Sequence, residues 1–129
     1  MLKNVHVHKI HNMTPKIFYR VANNITEQGL WYDFKGNFTG LIHSKFNFCM
    51  NNKLTMPFDP NIIGWLSATD TYEDLFHWFS EDDILRLEEH GYSISIYEAI
   101  EYKFHNNHWI IKQDSSTFIR IKKLKEEKF

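Results

Sequence analysis

The spacing of apolar residues changes once, at Gly91, from a helical to an alternating period, and no other feature constrains the fold as much. Before that point, Tyr72, Leu75, Phe76 and Phe79 recur at helical spacing behind Thr71 and Asp74, a hydroxyl-x-x-acid cap with Glu73 in its first turn. A second helix is expected to follow directly. Ser80 can cap it with Asp83 at the third position, and Phe79 and Ile84 stand where a hydrophobic staple would hold them. Gly91 ends it, because glycine adopts the left-handed conformation without a Cβ penalty, and Tyr92 falls where it can close back onto Leu87. Residues 71–79 and 81–90 are therefore read as separate helices meeting near Ser80.

After Gly91 the residues Tyr92, Ile94, Ile96, Ile100, Tyr102 and Phe104 share one face, while Ser93, Ser95, Glu101 and Lys103 share the other. That pattern predicts one long half-buried strand. Asn106 and Asn107 tolerate positive φ and form a hairpin turn into a strand over 108–113; Asp114, Ser115 and Ser116 then turn into another over 117–124. In the first half, Ile17, Tyr19 and Val21 alternate with Phe18, Arg20 and Ala22, and 62–67 is a short apolar run. Both segments read as strands. Residues 23–59 hold Gly29, Gly36 and Gly40 among aromatics and are too long for an idle loop, so a functional or packed excursion is expected.

These elements give an α+β fold of one domain over 1–129, with two consecutive short helices packed on mainly antiparallel strands. Leu75, Phe76, Phe79, Ile84, Leu87, Ile94, Ile96 and Ile110 are the expected core. Aromatic residues make up 16% of the chain, enough burial to stabilise a small domain without disulfides, and the lone Cys49 cannot form an internal bridge. No apolar run reaches membrane-spanning length and no secretory leader opens the sequence, so the expected location is the cytoplasm, without membrane contact. With 15 basic and 16 acidic residues there is no field for gripping a phosphate backbone, and nucleic acid is not an expected partner. The lysines at 122, 123, 125 and 128 are interrupted by Glu126 and Glu127 and read as a solvated, fraying end.

Few residues suggest chemistry. His6, His8 and His11 form an H-x-H-x-x-H run, but Ile10 stands where a dinuclear hydrolase site needs an acid, and no metal site is expected. Glu98 falls on the apolar face between Ile96 and Ile100, where an ionised carboxylate must be paired, opened onto a cleft, or turned outward by a bulge. Arg20, the only arginine before Arg86, can fork onto a carboxylate or a diphosphate. Ser67, Ala68 and Thr69 end a strand just before a helix start, where hydroxyls and free N–H groups either receive an anion or simply cap the helix. Trp31, Tyr32, Trp65, Trp78 and Trp109 are either a stacking platform or core.

The set Tyr19-Arg20, Gly29-Leu30-Trp31-Tyr32, Met56-Pro57, Gly64-Trp65-Leu66-Ser67-Ala68 and Trp78-Phe79-Ser80 resembles a group of short bacteriophage and prophage proteins across residues 17–111. The group carries no activity to transfer; because small domains without a complete catalytic set are more often binders, the expected function is a phage-type accessory protein that binds and modulates a host or defence protein, in the host cytoplasm, by presenting an aromatic patch. The order of parts is also similar to a minimal ADP-ribosyltransferase fold. This second resemblance implies NAD as cofactor if the chain is an enzyme, or a retained nucleotide site if it is an inactive descendant. Arg20 would bind the diphosphate, Ser67 would orient that arginine, Tyr72 would wall the nicotinamide, and Glu98 would be the catalytic carboxylate. The sequence departs from that pattern at one point: residues 108–113 carry no glutamate, and Glu98 lies one strand too early.

Overall fold

The computed structural model describes residues 14–30, 60–105 and 108–127. Strand β1 (Lys16–Asn23) is followed by β2 (Trp65–Ala68), helix α1 (Leu75–Trp78), helix α2 (Glu81–Glu88), then β3 (Tyr92–Ala99), β4 (Tyr102–His105), β5 (His108–Lys112), β6 (Ser116–Lys122) and helix α3 (Leu124–Glu127). The strands form two antiparallel sheets, ordered β1-β3-β6 and β2-β5-β4. An α+β fold with mainly antiparallel strands is what the periodicity predicted. His6, His8 and His11 lie outside the described residues, as do Trp31, Tyr32 and the excursion from 31 onward. No helix among the described residues is long and apolar enough to cross a membrane.

The two helices meet as expected. Ser80 Oγ accepts from the Asp83 N–H at 3.1 Å and caps α2, while Thr71 Oγ1 accepts from the Asp74 N–H at 3.2 Å and closes the turn ahead of α1, whose N-cap Asp74 makes no side-chain cap bond. The first helix is shorter than its cap implied. Only Leu75–Trp78 is regular, because Phe79 takes an extended conformation that hands the chain to Ser80. Gly91 has a φ of +88°, the left-handed stop anticipated after α2. Leu75, Phe79, Ile84 and Leu87 are buried against Val21, Tyr92 and Ile94. Full burial of side chains such as Ile84 and Leu87 stabilises the fold by roughly 1.5–3 kcal/mol each. Phe76, expected in the core, is only half-buried, since Leu75 and Phe79, four residues apart, take the inward stripe and leave Phe76 on its flank.

Sheet parity explains the rest of the packing. In the β1–β3 register Phe18 faces Tyr97, Arg20 faces Ser95 and Ala22 faces Ser93, all on one side; Tyr19, Val21, Ile94 and Ile96 take the other. The first side packs on the second sheet through Phe18, Tyr97 and Ala99 against Leu66, Ala68 and Ile111. The other carries the helices. Strand β3 is thus central and covered on both faces from Tyr92 to Tyr97, and Ser93 and Ser95 are buried, contrary to the half-buried strand expected from their polarity.

Two further expectations are corrected. The long strand over 92–104 breaks at Ile100 and Glu101, and its halves belong to different sheets: β3 pairs with β1 and β6, whereas β4 pairs with β5. Alternation in the sequence runs across the break although the halves face different layers: Tyr92 and Ile94 pack under the helices, whereas Tyr102 packs between the sheets. Strands β4 and β5 pair antiparallel with His105 opposite His108, while Asn106 and Asn107, expected to turn between them, lie outside the described residues. The next strand does not extend this pair; a 3₁₀ turn over Gln113–Ser115 returns the chain to β3 in the first sheet. The carboxyl-terminal lysine stretch is also not a fraying end as far as Glu127. Leu124 is buried, and the Glu88 carboxylate accepts the Leu124 and Lys125 N–H groups at 2.6 and 3.1 Å, which docks α3 on α2.

Candidate functional site

The two sheets touch where β1 meets the end of β2. Tyr19 and Thr69 exchange backbone hydrogen bonds of 2.8 Å in each direction, and this bridge brings Arg20 beside Ser67. Arg20 is 6% exposed, and its guanidinium is held by backbone: Nε donates to the Ser67 carbonyl at 3.2 Å and Nη1 to the Glu27 carbonyl at 2.9 Å. A buried guanidinium without acceptors would be very costly, and these carbonyls supply them. Burial still lowers its pKa from the ordinary value, opposed by the neighbouring Tyr97 hydroxyl and Glu27.

Tyr97 reaches the same cluster from β3, one residue pair along from Ser95. Its hydroxyl donates to Glu27 Oε1 at 2.7 Å, and burial, its largest influence, raises its pKa well above the ordinary tyrosine value while the guanidinium pulls the other way. Glu27 itself has a φ of +62°, an unusual conformation for a side chain with a Cβ. The turn around it is fixed by Asn23, whose Oδ1 accepts from the Ile25 and Thr26 N–H groups at 2.9 Å each and whose carbonyl accepts from the Glu27 N–H at 2.9 Å. Gly29 completes the enclosure. A Cβ there would stand 2.9 Å from Arg20 Nη2, so only glycine allows the backbone to approach the guanidinium this closely.

Around Arg20 lies a small cleft with a cavity volume of about 60 Å³, lined by Tyr19, Ser67, Thr69, Trp78, Phe79 and His108 among others. Arg20 and Ser67 thus meet, as the transferase resemblance implied. Glu98 does not join them. It pairs with Ile17 on the helix-bearing side of the first sheet, three residues along β3 from Ser95, and so faces away from Arg20. Its parity with Ile94 and Ile96 was read correctly, but the helices cover only the Tyr92 end of that side. At the other end Ile17, Glu98 and Thr117 are all exposed, so the carboxylate lies in solvent and not in the core. The one bulge nearby, between Ile96 and Tyr97 in the β3–β6 register, puts its extra residue in β6 and does not turn Glu98. Arg20 and Glu98 therefore form neither an ion pair nor two walls of one cleft.

Tyr72 also stands outside the cleft. Its ring packs edge-on against Tyr19 and Phe76, with centroids at 6.0 and 5.2 Å, and Lys122 Nζ lies 4.1 Å from its centre. Glu27 and Tyr97 were not singled out in the sequence, and Gly29 only as one of the glycines of residues 23–59 and as part of the phage-protein resemblance, not as a neighbour of Arg20. Tyr97 shares Arg20's side of the sheet by parity, which pairing β1 with β3 would have revealed; Glu27 and Gly29 carry no signal short of the turn geometry. Among the described residues no three His, Cys, Asp or Glu gather as a metal site.

A second, open groove shares Ala68, Thr69, Trp78 and His108 with the cleft and is completed by Asp74, His77, Phe104 and Trp109. Phe104 is 59% exposed and meets Trp109 edge to face at 5.5 Å. This is an aromatic surface with one carboxylate at its rim. Compared with protein-family models, curated proteins and solved structures, the chain matches none of them.

Proposed function

We propose that this chain is a binding protein of the phage-accessory type, which attaches to a host or defence protein and modulates it without chemistry on the target. One observation carries the reading: the charges that a transferase needs together are divided by a sheet. Cleavage of a glycosidic bond develops positive charge on the ribose, and a fixed carboxylate must stand beside it. The described residues that line the Arg20 cleft include no Asp or Glu, and Glu98 faces the other way. The guanidinium is meanwhile occupied by the Ser67 and Glu27 carbonyls, a structural use that ties the sheets together. What remains open at the surface is aromatic, the residue class that supplies most binding hot spots.

Affinity capture from host lysate with the full chain, followed by mass spectrometry, tests this. A partner held at stoichiometric level, unmodified in mass and lost when Phe104→Asp is used as bait, is the expected result. A target that gains mass only when NAD is supplied would overturn it.

One observation favours the alternative, an NAD-dependent ADP-ribosyltransferase-like enzyme or a nucleotide-binding descendant: Arg20 and Ser67 do share a cleft. On that reading NAD or ADP-ribose raises the melting temperature by mass action, and Arg20→Lys removes the shift. On the binding-protein reading neither ligand moves it, and Glu98→Gln leaves any trace NAD turnover unchanged.

A further inference from the structure

The groove between Trp78, Phe104 and Trp109 is built for a cation, and we infer that it seats an arginine side chain of the partner protein. The inference rests on the binding-protein reading and names the chemistry of its contact.

Aromatic faces attract cations through their quadrupole, and a carboxylate at the edge of such a site supplies the charge that fixes orientation. Asp74 stands at that edge, with its side chain 47% exposed. The ion-pair partner recorded for it is His77, at 3.6 Å and only when that ring is protonated, and the groove's other titratable wall is His108. Among its described lining residues the groove has one carboxylate, Asp74, and no lysine or arginine to oppose an incoming cation. The same molecule shows the arrangement filled beside this groove. Lys16 Nζ lies 4.4 Å from the centre of the Trp109 ring, within 6 Å of Phe18 and Tyr102, and 3.5 Å from Asp70. Because Asp70 balances Lys16, that pair adds no net positive charge to the neighbouring groove.

Arginine fits better than lysine on geometric grounds. A planar guanidinium can stack on an indole or phenyl face and still fork onto a carboxylate, whereas an ammonium is a strongly hydrated point charge. The groove has a cavity volume of about 270 Å³, room for a guanidinium and the stem behind it. Thr69 adds a hydroxyl on the wall, but it is committed to the Thr71 carbonyl at 2.8 Å, so the polar selectivity falls to Asp74.

The test is a titration of the isotope-labelled full chain, followed by NMR, with acetyl-Gly-Arg-Gly-amide and with its lysine and citrulline counterparts. The indole N–H signals of Trp78 and Trp109 should move saturably with the arginine peptide, less with lysine, and not with citrulline, which keeps the shape and loses the charge. Asp74→Asn should weaken arginine binding about 2–5-fold, the range of an exposed ion pair. Phe104→Ser, which removes a wall and no charge, should weaken it independently. Equal shifts from citrulline, lysine binding as tight as arginine, or an affinity untouched by both substitutions would overturn the inference. A lysate partner captured by Phe104 but indifferent to Asp74→Asn would defeat this inference and leave the binding-protein reading intact; arginine binding without any captured partner would do the reverse.

Discussion

The Arg20 cleft and the Phe104 groove share a wall of Ala68, Thr69, Trp78 and His108, yet they treat charge in opposite ways. In the cleft, a single cation is buried and every nearby feature serves it: two carbonyls accept its protons, a tyrosine hydroxyl and Glu27 favour its charge, and a glycine clears its approach. In the groove the carboxylate is left at the rim and the aromatic faces are exposed. A charge that is enclosed by backbone stabilises the fold and has little left to offer a ligand, whereas a charge beside open apolar surface contributes little to stability and is available to a partner. The buried guanidinium is accordingly not the group to which function is assigned.

The sharpest way to break the comparison is Arg20→Met. It keeps most of the apolar stem but strips the donors from the Ser67 and Glu27 carbonyls, each worth roughly 1.5–3 kcal/mol when the donor is charged, so a loss of about 3–5 kcal/mol is expected in urea unfolding. A loss below about 1 kcal/mol, typical of a surface site, would mean that the guanidinium is dispensable to the fold and available to a ligand. Gly29→Ala should come next, at about 1–3 kcal/mol, because its Cβ meets Arg20 Nη2 at 2.9 Å and one of the two must move. Combined with Arg20→Met the alanine should cost much less, since the atom it strikes is gone. Additive losses in that double mutant would show that the two residues are not in contact.

How much of this was legible in the sequence differs between the two regions for a physical reason. The cap at Ser80 and the stop at Gly91 are local signals found as read, whereas Thr71 closes a turn ahead of α1 and does not cap it. Strand parity was also local, and it placed Glu98 correctly on the side of Ile94 and Ile96. Whether that side is covered depends on how far the helices reach, a tertiary fact that no spacing encodes. The same holds for the break at Ile100 and Glu101, where the chain changes sheets without a glycine, a proline or a slip in alternation to mark it. Glu27 meets Tyr97 across 70 positions of sequence, and only the pairing of β1 with β3 brings them together.

The Tyr97 hydroxyl sharpens the comparison through pH. Its pKa is raised in the folded protein, so above the ordinary value of about 10 the unfolded chain releases this proton while the native state keeps it, and stability falls as pH rises past that point. At lower pH the shift has no effect, because both states are protonated. Tyr97→Phe should therefore cost about 1 kcal/mol at neutral pH, from the lost hydrogen bond to Glu27, and should flatten the decline in melting temperature above pH 10. An unchanged alkaline slope would show that the hydroxyl is solvated and that the cleft is not closed.

The smallest stability effect is expected where the functional effect should be largest. Phe104 is mostly exposed, so what its removal costs the isolated fold is chiefly the edge-to-face contact with Trp109, worth about 0.5–1.5 kcal/mol. Phe104→Ser should lie at the lower end of that range, because the ring's exposed part gives back the unfavourable hydration of an apolar surface. Capture of the partner should nevertheless fall at least tenfold, the loss of a hot-spot residue at an interface. Measuring both on one preparation separates the regions: Arg20→Met lowers stability and, in whatever fraction stays folded, retains the partner, while Phe104→Ser keeps stability and loses it. If Phe104→Ser instead destabilises the chain by 3 kcal/mol or more, a cost of roughly core magnitude, the groove is packed against the rest of the molecule and is not an open surface. In that event the aromatic residues are holding the fold together, as the guanidinium does, and the binding site must be sought on another face.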